Sequence, residues 1–287
     1  MTHKSSDIGL VGLGVMGRNL VLNIANHGFS VAGYDLDPEK ARHLQQEKKP
    51  HHAIATATDL PAFLDLLRPP RAIMLLVPAG DPVDQVMDRL LAHLEKGDLI
   101  IDAGNSYFKD TDRRIQTAGK KNVDFMGMGV SGGEKGARNG PSLMPGGAAA
   151  TYERVRPILE AAAARVDESP CVAHLGPGSA GHYVKMVHNG IEYGIMELLA
   201  ETYDLMKRGL NLSNDRLRQI YAAWDRTEVS GYLTQITAHI FAQPDERSGH
   251  DLVDLILDRA DQKGTGTWTV GDALDLQVPV PTIDLAV

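Results

Sequence analysis

Four polar residues, spaced three and four residues apart, have the composition of an acid–base site. They stand at positions i, i+3, i+4 and i+7: Lys185, His188, Asn189 and Glu192. On a helix this spacing puts a base, two hydrogen-bonding groups and an acid on one face, and these are the groups that proton transfer requires. A charged stripe facing water is the alternative interpretation. The segment follows the glycine-rich turn Gly176–Gly181, at the predicted join of two domains, where ligand clefts usually form.

A second candidate site is a glycine turn near the start of the chain. It has the spacing G-x-G-x-x-G, follows a predicted strand and opens a predicted helix. The glycines would allow a tight turn, a close approach of backbone to a pyrophosphate and tight packing of helix on strand. The helix N-terminus would then bind the phosphates. A turn that binds no ligand is the alternative. The predicted cofactor contacts are Gly12, Leu13, Gly14, Val15, Met16 and Gly17.

Asp35 follows the second predicted strand and predicts which dinucleotide binds. A carboxylate at this place can accept hydrogen bonds from both ribose hydroxyls, whereas a 2′-phosphate would meet a like charge. No arginine stands close by in the sequence, Arg42 being the nearest. We therefore predict NAD rather than NADP. The alternative is a solvated strand end or a cap for the helix that begins at Pro38.

The segment Gly127–Gly147 is unusually rich in glycine, with eight glycines in 21 residues. So much glycine costs backbone entropy on folding, a cost that is reasonable where main-chain N–H groups must reach a small, oxygen-rich ligand. A flexible loop is the alternative. Apolar, strand-like runs flank the segment, which favours the binding interpretation.

At this point the sequence resembles a known family. The core Ser131-Gly132-Gly133 is similar to the substrate loop of the β-hydroxyacid dehydrogenases, and the string extending to Gly147 resembles the 6-phosphogluconate dehydrogenase family. The further stretches that carry the resemblance are Ile101–Ser106, Gly178–Gly194, Ile256–Asp258 and Lys263–Thr269. The resemblance extends from the first glycine motif to the end of the chain, and its motifs are long enough to be specific.

The resemblance implies oxidative decarboxylation of a 3-hydroxy acid, 6-phosphogluconate, to ribulose 5-phosphate and CO2. Lys185 would take the proton of the C3 hydroxyl, for which burial and the positive nicotinamide ring must lower its pKa. Protonated, it would stabilise the enolate that forms as CO2 leaves. Glu192 would donate the proton to C1 of the enediol. No metal is needed, and none is predicted.

The resemblance also implies substrate contacts. His188 and Asn189 would hold the hydroxyls and carboxylate, the carboxylate would accept from residues of the glycine-rich segment, and Asn105 would lie between nicotinamide and sugar. The predicted substrate residues are Asn105, Ser131, Gly132, Gly133, His188, Asn189, Tyr193, Lys263 and Thr265, the last three for the phosphate. Val77, at the end of a predicted strand, and Asn105 complete the cofactor set. Packing or solvated roles are the alternatives for His188, Tyr193 and Lys263.

The length and Asp35 match the short, NAD-preferring branch of the family best. Longer members continue through more helices to a tail that reaches the partner subunit, so we expect the helical domain here to be incomplete at its C-terminal end. The chain stops on the apolar run Val278–Val287. Because family helical domains bury apolar surface between subunits, a homodimer or larger homo-oligomer is expected.

Two other functions remain open at this stage. A dehydrogenase of the 3-hydroxyisobutyrate or tartronate-semialdehyde type would share Lys185 and Asn189, but would not be expected to carry Glu192-Tyr193 or the string Lys263–Gly266. An NAD-binding fragment or regulatory protein without turnover is the second alternative.

The elements needed to position these residues follow from hydrophobic periodicity. Short β-rich runs alternate with amphipathic stretches in the first half, which predicts a Rossmann-type, doubly wound parallel sheet with helices on both faces. The predicted strands are Ile8–Gly12, Phe29–Tyr34, Ala72–Val77, Leu99–Asp102, Val123–Met128, Ser142–Pro145 and Cys171–Leu175. The predicted helices between them are Val15–His27, Pro38–Gln46, Pro82–His93, Tyr107–Gly119 and Tyr152–Ala164.

A helical periodicity replaces the β-rich runs after the turn cluster at Gly176. We therefore predict an NAD-binding domain over residues 1–176 and an all-α substrate and dimerisation domain over residues 177–287. The predicted helices here are Ser179–Lys207, Ser213–Trp224, Tyr232–Phe241, Leu252–Ala260 and Thr267–Leu276.

Composition excludes several classes of protein. The net charge of −8 over 287 residues disfavours a nucleic-acid-coating protein. Cys171 is the single cysteine, so no intrachain disulfide can form; with no secretory leader, a cytoplasmic protein is expected. The longest apolar runs, such as Ile73–Val77, are far shorter than the ~20 residues that span a bilayer, so no membrane partner is expected. His3, His51 and His52 are interpreted as surface residues.

Overall fold

The computed structural model describes residues 5–262 and 264–287. Over these residues, seven strands form one sheet in the order β3-β2-β1-β4-β5-β6-β7. The strands are β1 (Ile8–Val11), β2 (Val31–Tyr34), β3 (Ile54–Ala57), β4 (Ala72–Leu75), β5 (Leu99–Asp102), β6 (Asp124–Ser131) and β7 (Ser142–Pro145). All neighbours from β3 to β6 run parallel, with Gly9 beside Ala32 on one side and Ile73 on the other. β7 runs antiparallel to β6, so the wholly parallel sheet predicted from the sequence is corrected at this edge.

Helices cover both faces of the sheet, which confirms the doubly wound α/β fold. They are α1 (Val15–Asn26), α2 (Pro38–Glu47), α3 (Leu60–Asp65), α4 (Asp81–Leu91), α5 (Phe108–Gly119), α6 (Gly133–Asn139) and α7 (Ala149–Ala162). Successive strand residues point to opposite faces, so Ile73 and Met74 belong to two different hydrophobic clusters. One cluster contains residues of α1 and α7, and the other residues of α3 and α4. The β-rich runs lack polar alternation because both faces of their strands are buried.

The second part of the chain is helical. After the two-stranded β8 (Arg165–Val166) and β9 (Ser169–Pro170), the helices are α8 (Ala180–Asp204), α9 (Asn214–Trp224), α10 (Tyr232–Ile240), α11 (Thr265–Asp275) and α12 (Pro281–Ala286). A π-helical turn, Leu205–Gly209, continues α8. The chain as a whole forms two compact units, one up to Met186 and one from Val187 to Val287. The division between them falls within α8. The boundary at residue 176 stays a prediction.

The predicted strand Cys171–Leu175 is wrong. This segment makes an isolated bridge at Val172 to Leu143 of β7. The N–H of Leu143 donates to the carbonyl of Cys171 at 2.9 Å, but Pro145 has no N–H to continue the ladder. The segment therefore runs along β7 without becoming a strand.

The predicted helix Leu252–Ala260 is also wrong, since the structure has only a 3-10 turn at Leu252–Leu255. Its apolar residues are largely exposed, and a short helix with no packed face is unstable in water. The carboxylates of Asp251 and Asp254 instead accept from the amide of Asn214, at 2.7 and 2.8 Å. β3, α3, α6, β8, β9 and α12 were not predicted from the sequence. The prediction that His52 lies at the surface is wrong, since His52 is buried and its Nε2 is 2.7 Å from Oδ1 of Asn26.

No helix among the described residues is both long enough and apolar enough to cross a bilayer.

Candidate functional site

The glycine turn between β1 and α1 is shaped by close backbone contacts. Gly12 has φ +96°, and a methyl group there would lie 2.4 Å from the carbonyl oxygen of Leu76. A methyl group at Gly17 would lie 1.9 Å from the carbonyl oxygen of Gly12. Around Gly14, by contrast, no atom of the described chain comes within 4 Å of such a group. Gly12 and Gly17 therefore keep the turn tight, and Gly14 leaves its outer side open.

The N-terminus of α1 is suited to an anion. Within the described residues no side chain caps the helix at Gly14, and its first turn contains no acidic residue. The first N–H groups of a helix have no partner within the helix and carry a partial positive charge. A dinucleotide pyrophosphate fits this place, and Gly12–Gly17 would hold it.

Asp35 lies at the end of β2 and is buried. Its carboxylate accepts from the backbone N–H of Leu13 at 2.8 Å and from that of Asp37 at 2.9 Å. The ammonium of Lys40 is 3.4 Å from the same carboxylate. Asp35 thus binds the glycine turn directly, so it fixes the turn in addition to any contact with a ribose.

A cavity of about 350 Å³ lies at the carboxyl ends of the strands. The predicted residues around it are Gly12, Gly14, Asp35 and Val77. Lys40 and Arg89 line the same cavity. The sequence pointed to Arg42 as the nearest arginine; α4 brings Arg89 to the cavity, a placement that only the tertiary fold reveals. Asn105 follows β5 and is exposed. It is not among the residues that line this cavity.

The glycine-rich segment is ordered secondary structure. It contains the end of β6, the short α6 and β7, with Ser131 paired to Ser142. Gly132, at the start of α6, has φ +131°, which favours glycine. Ser131 is half-buried, while Gly132 and Gly133 are exposed. Three predicted substrate residues therefore lie together at one strand end, with the two glycines open to solvent.

Two asparagines of α1, which sequence reasoning missed, hold this segment in place. The amide of Asn23 donates to the carbonyls of Ala137 at 3.1 Å and Ala162 at 2.8 Å. The amide of Asn19 is 3.4 Å from the carboxylate of Glu134. Both asparagines are buried, four residues apart on an otherwise apolar helix face. That spacing was the available signal.

Lys185 lies against β6 and is 7% exposed. A methyl group at Gly129 would lie 2.5 Å from Cβ and 2.9 Å from Cγ of Lys185. The lysine stem therefore occupies the space that a side chain at Gly129 would fill. The role of Lys185 as a base stays a prediction.

The first turn of α8 is equally tightly packed. His182 is buried, and its Nδ1 is 2.6 Å from Oγ1 of Thr111. Burial lowers the pKa of His182 below its usual value, so the imidazole is neutral at neutral pH. A methyl group at Gly127 would lie 2.7 Å from its Nδ1. Gly127 and Gly129 thus admit His182 and Lys185 against the same strand.

The helical unit carries three more of the predicted residues. Nδ1 of His188 is 3.3 Å from Oδ1 of Asn189 and 3.8 Å from a carboxylate oxygen of Glu192. Asn189 is buried, while the side chains of His188 and Glu192 are 37% and 38% exposed. The unit thus brings an acid, an imidazole and an amide together.

Tyr193 and Thr265 also meet within the helical unit. Oγ1 of Thr265 donates to the hydroxyl of Tyr193 at 3.5 Å. Thr265 is the first residue of α11, which begins two residues earlier than predicted, after Gly264 with φ +90°. A methyl group at Gly266 would lie 2.7 Å from the Tyr193 ring. Lys263, the third predicted phosphate residue, lies outside the described residues.

In the part of the chain that the structure describes, no three His, Cys, Asp or Glu side chains are grouped so that they could hold a metal ion. The predicted absence of a metal stays a prediction.

Two family models match the chain. Residues 7–176 match the NAD binding domain of 6-phosphogluconate dehydrogenase, and residues 181–287 match the 6-phosphogluconate dehydrogenase C-terminal domain. A Bacillus subtilis relative, described as an NADP(+)-dependent, decarboxylating 6-phosphogluconate dehydrogenase, is 50% identical over 98% of this chain and 60% of its own length. A decarboxylating relative from Saccharomyces cerevisiae is 47% identical over 99% of this chain and 58% of its own.

Solved structures agree with these matches. Plasmodium falciparum 6-phosphogluconate dehydrogenase, studied apo, with NADP+ and with 6-phosphogluconate, is 44% identical with a TM-score of 0.94, covering 98% of this chain and 60% of that one. Mycobacterium tuberculosis 3-hydroxyisobutyrate dehydrogenase, at 20% identity and TM-score 0.72 over 99% of this chain and 91% of its own, shares the fold. The chain spans about 60% of the length of the curated relatives it matches. By both family models and these identities, the chain belongs to the 6-phosphogluconate dehydrogenase family.

Proposed function

We propose that this chain catalyses the oxidative decarboxylation of 6-phosphogluconate to ribulose 5-phosphate and CO2, with NAD as the oxidant. The observation that carries the proposal is the burial of Lys185, packed on Gly129 in the same compact unit as the glycine turn. A lysine kept from water can act as a neutral base, whereas one in bulk solvent could not at neutral pH.

Lys185 is the general base of the first step. Its neutral amine accepts the proton of the C3 hydroxyl, and NAD, when bound, accepts the hydride from C3. In the resulting 3-keto acid, the carboxylate lies β to the carbonyl, so the electron pair of the breaking C–C bond can collect on oxygen. The protonated Lys185 then donates to that oxygen and stabilises the developing enolate.

Glu192 is the general acid of the last step. The enediol left by decarboxylation takes a proton at the carbon that becomes C1 of ribulose 5-phosphate, and the hydroxyl proton on the neighbouring carbon returns to the neutral Lys185. Glu192, seven residues after Lys185, carries a half-exposed carboxyl group that can donate the proton to carbon. His188 stands 3.8 Å from Glu192 and can orient it or return its proton. His188 and Asn189 hold the substrate hydroxyls and carboxylate in this proposal.

The two ends of the substrate require different groups. Ser131 and the N–H groups of Gly132 and Gly133 suit the carboxylate. They lie together at the end of β6, where the two glycines are exposed to solvent and a ligand can reach their backbone. For the phosphate we assign Tyr193 and Thr265, whose hydroxyls meet at the start of α11, together with Lys263. An uncapped helix N-terminus adds favourable N–H groups for an anion. Asn105 lies between nicotinamide and sugar in this proposal.

The reaction is tested by incubating the 287-residue chain with NAD+ and 6-phosphogluconate while recording NADH and CO2. We expect Lys185→Met to lower kcat by at least about 100-fold, because a general acid–base group contributes that much, while NAD binding measured by calorimetry is unchanged. The control is Lys120→Met, at an exposed lysine after α5. Unchanged turnover in Lys185→Met would overturn the base assignment.

The same assay tests the alternatives. Reduction of NAD+ by 3-hydroxyisobutyrate without CO2 release, and none by 6-phosphogluconate, would contradict the proposed substrate. NAD binding with no turnover at any concentration would contradict the enzymatic function and favour a binding protein.

The preference for NAD over NADP rests on Asp35. Its buried carboxylate lines the cavity and would repel a 2′-phosphate, although Lys40 and Arg89 nearby weaken that repulsion. We expect kcat/KM to favour NAD+ in the wild type and Asp35→Asn to shift the ratio toward NADP+ by about ten-fold or more. Asp37→Asn is the matched control, because asparagine preserves the helix cap. A wild-type preference for NADP+ would refute this assignment.

The proposal includes a cytoplasmic homodimer or larger homo-oligomer. Large apolar side chains of the helical unit are exposed, among them Ile191, Leu198 and Leu205. Such surface usually marks an interface. A native mass measurement at micromolar concentration should give a multiple of 31.1 kDa, and a monomer would contradict it.

A further inference from the structure

One arginine, Arg114 of α5, is completely buried and binds several groups at once. Its Nε donates to Asp84 at 2.8 Å, and its Nη2 donates to the same carboxylate at 3.2 Å and to the carbonyl of Gly80 at 3.0 Å. Its Nη1 donates to Asp102 at 3.3 Å and to Ser106 Oγ at 3.1 Å. A single guanidinium thus joins the segment after β4 to the segment after β5.

Asp102 extends this network into the loop after β5. One oxygen of its carboxylate accepts from the N–H of Gly104 at 3.1 Å, and the other accepts from the hydroxyl of Ser106 at 2.6 Å. Asn105 stands between these two anchored residues. The backbone at Asn105 is therefore held from both sides while its side chain is exposed.

Arg114 also holds the C-terminal end of the segment that joins β4 to α4. Gly80, whose carbonyl Arg114 binds, precedes α4, and Asp84 lies in the first turn of that helix. The same segment carries Val77, which lines the cavity. A methyl group at Gly104 would lie 3.3 Å from the carbonyl oxygen of Val77, so the two loops touch.

The position of these loops relates them to the two halves of the dinucleotide. In the sheet, β1 has β2 on one side and β4, followed by β5, on the other. A dinucleotide lies across the carboxyl ends of such strands, with its pyrophosphate at the turn after β1. Asp35, after β2, is on the adenosine side. The loop after β5, which carries Asn105, is consequently on the nicotinamide side, and the segment after β4, whose Val77 lines the cavity with Asp35, lies between the two halves.

We propose that Arg114 is a positioning residue for the nicotinamide half of the cofactor, because it fixes the loops after β4 and β5 relative to each other. It touches neither substrate nor cofactor in this proposal. The inference rests on the dinucleotide site of the proposed function, but not on the substrate or on the decarboxylation.

The test compares two ligands and two neighbouring arginines. Calorimetry on the 287-residue chain measures the dissociation constants of NAD+ and of ADP, which lacks the nicotinamide half. A lysine can bind one carboxylate but cannot span Asp84, Asp102 and Gly80. Arg114→Lys should therefore raise the dissociation constant of NAD+ by about ten-fold or more. ADP should lose much less affinity than NAD+, because its contacts lie at the glycine turn and the Asp35 cavity, away from the loop after β5.

Arg113→Lys is the matched control. Arg113 also binds Asp84, at 2.8 Å, but from the surface and without contact to Asp102 or Gly80 in the hydrogen bonds of the described residues. We expect it to leave both ligands unchanged. An Arg114→Lys chain that binds NAD+ like the wild type, or whose affinities for NAD+ and ADP fall by the same factor, would overturn the inference.

A second, milder variant tests the inference if Arg114→Lys does not fold. Ser106→Ala removes one hydroxyl of the network and retains the Arg114–Asp102 pair, so a well-folded chain with several-fold weaker NAD+ binding and unchanged ADP binding is expected. Unchanged NAD+ binding in this variant would contradict the inference. If the wild type binds no NAD+, the proposed function fails; if it binds and both variants match it, only the positioning role fails.

Discussion

The two compact units differ in how completely they bury their own side chains. In the α/β unit, two hydrophobic clusters fill both faces of the sheet, and buried charges such as Arg114 and Asp102 pair with one another. In the helical unit, the buried cluster consists of Leu217, Tyr221, Ala238 and Phe241 with partly buried neighbours. Many large apolar residues there are exposed, for example Leu205 at 68%.

This difference predicts how each unit fixes its candidate site residues. In the α/β unit, backbone surrounds the critical glycines and charged networks hold the loops, so little can move without breaking many contacts. In the helical unit, helices touch through side chains at a few positions, such as Thr269 against Gly190. The consequence is that equivalent changes should be costly in the first unit and partly absorbed in the second.

The largest expected effect comes from a methyl group at Gly181, compared with one at Gly190. At Gly181 the methyl would lie 2.3 Å from the carbonyl oxygen of Met144 and 2.4 Å from that of Gly127, both backbone atoms. At Gly190 it would lie 2.7 Å from the Cγ2 of the Thr269 side chain. We expect Gly181→Ala to lower the free energy of unfolding by about 3 kcal/mol or more, and Gly190→Ala by about 1 kcal/mol. Urea unfolding followed by circular dichroism measures both.

Thr269→Ala provides the control for this comparison. It removes the two atoms nearest to the added methyl, Cγ2 and Oγ1, so the pair Gly190→Ala and Thr269→Ala should show a favourable coupling in a double-mutant cycle. Equal losses for Gly181→Ala and Gly190→Ala would contradict the proposed difference between the units.

The second prediction compares two ionised aspartates in acid. Arg114 and, less strongly, Arg113 hold the pKa of Asp84 at about 2, against opposition from burial. The unfolded chain therefore takes up this proton first as pH falls, so Asp84 stabilises the fold above its usual pKa near 4 and loses that effect toward pH 2. The difference corresponds to about 2 kcal/mol of unfolding free energy.

Asp215 of the helical unit should behave differently. Hydrogen bonding to Arg218 lowers its pKa as well, but the side chain is exposed, so salt screens the interaction. The acid-induced loss of unfolding free energy between neutral pH and about pH 2 should be smaller by about 2 kcal/mol in Asp84→Asn and nearly unchanged in Asp215→Asn. The reverse result would mean that the buried network does not dominate the acid response.

The same contrast explains what the sequence could predict. Ile8–Asp35 was predicted well because β1, the glycine turn, α1 and β2 follow local rules of period and turn chemistry. α6 was missed because its glycines disfavour a helix, while the contacts of Asn23 to Ala137 that support it come from elsewhere in the chain. β3 was missed since Ile54–Ala57 consists mainly of small residues without a clear period.

Sequence spacing found the candidate residues of α8, but could not establish their surroundings. The spacing of Arg114 from Thr111 and Ala118 places it on the inner face of α5, but no local signal predicts that an arginine there is completely buried while Arg113 is half-exposed. Likewise Arg89 of α4 lines the same cavity as Asp35, although no sequence motif predicts its position there. The roles of Lys185, Glu192 and the other site residues stay predictions.

The smallest expected effect concerns the aromatic core of the helical unit. The hydroxyl of Tyr221 donates to the carbonyl of Leu199 at 3.0 Å and lies 3.0 Å from Oγ1 of Thr202, in a fully buried position. Tyr221→Phe removes one donor to that carbonyl, which still accepts from Oγ1 of Thr202 at 3.0 Å, so we expect a loss of only about 1 kcal/mol in unfolding free energy. Tyr34→Phe, which retains the ring stack on Phe63, should cost less. A larger loss for Tyr34→Phe would show that the well-packed α/β unit is the more sensitive one even to the removal of a single oxygen atom.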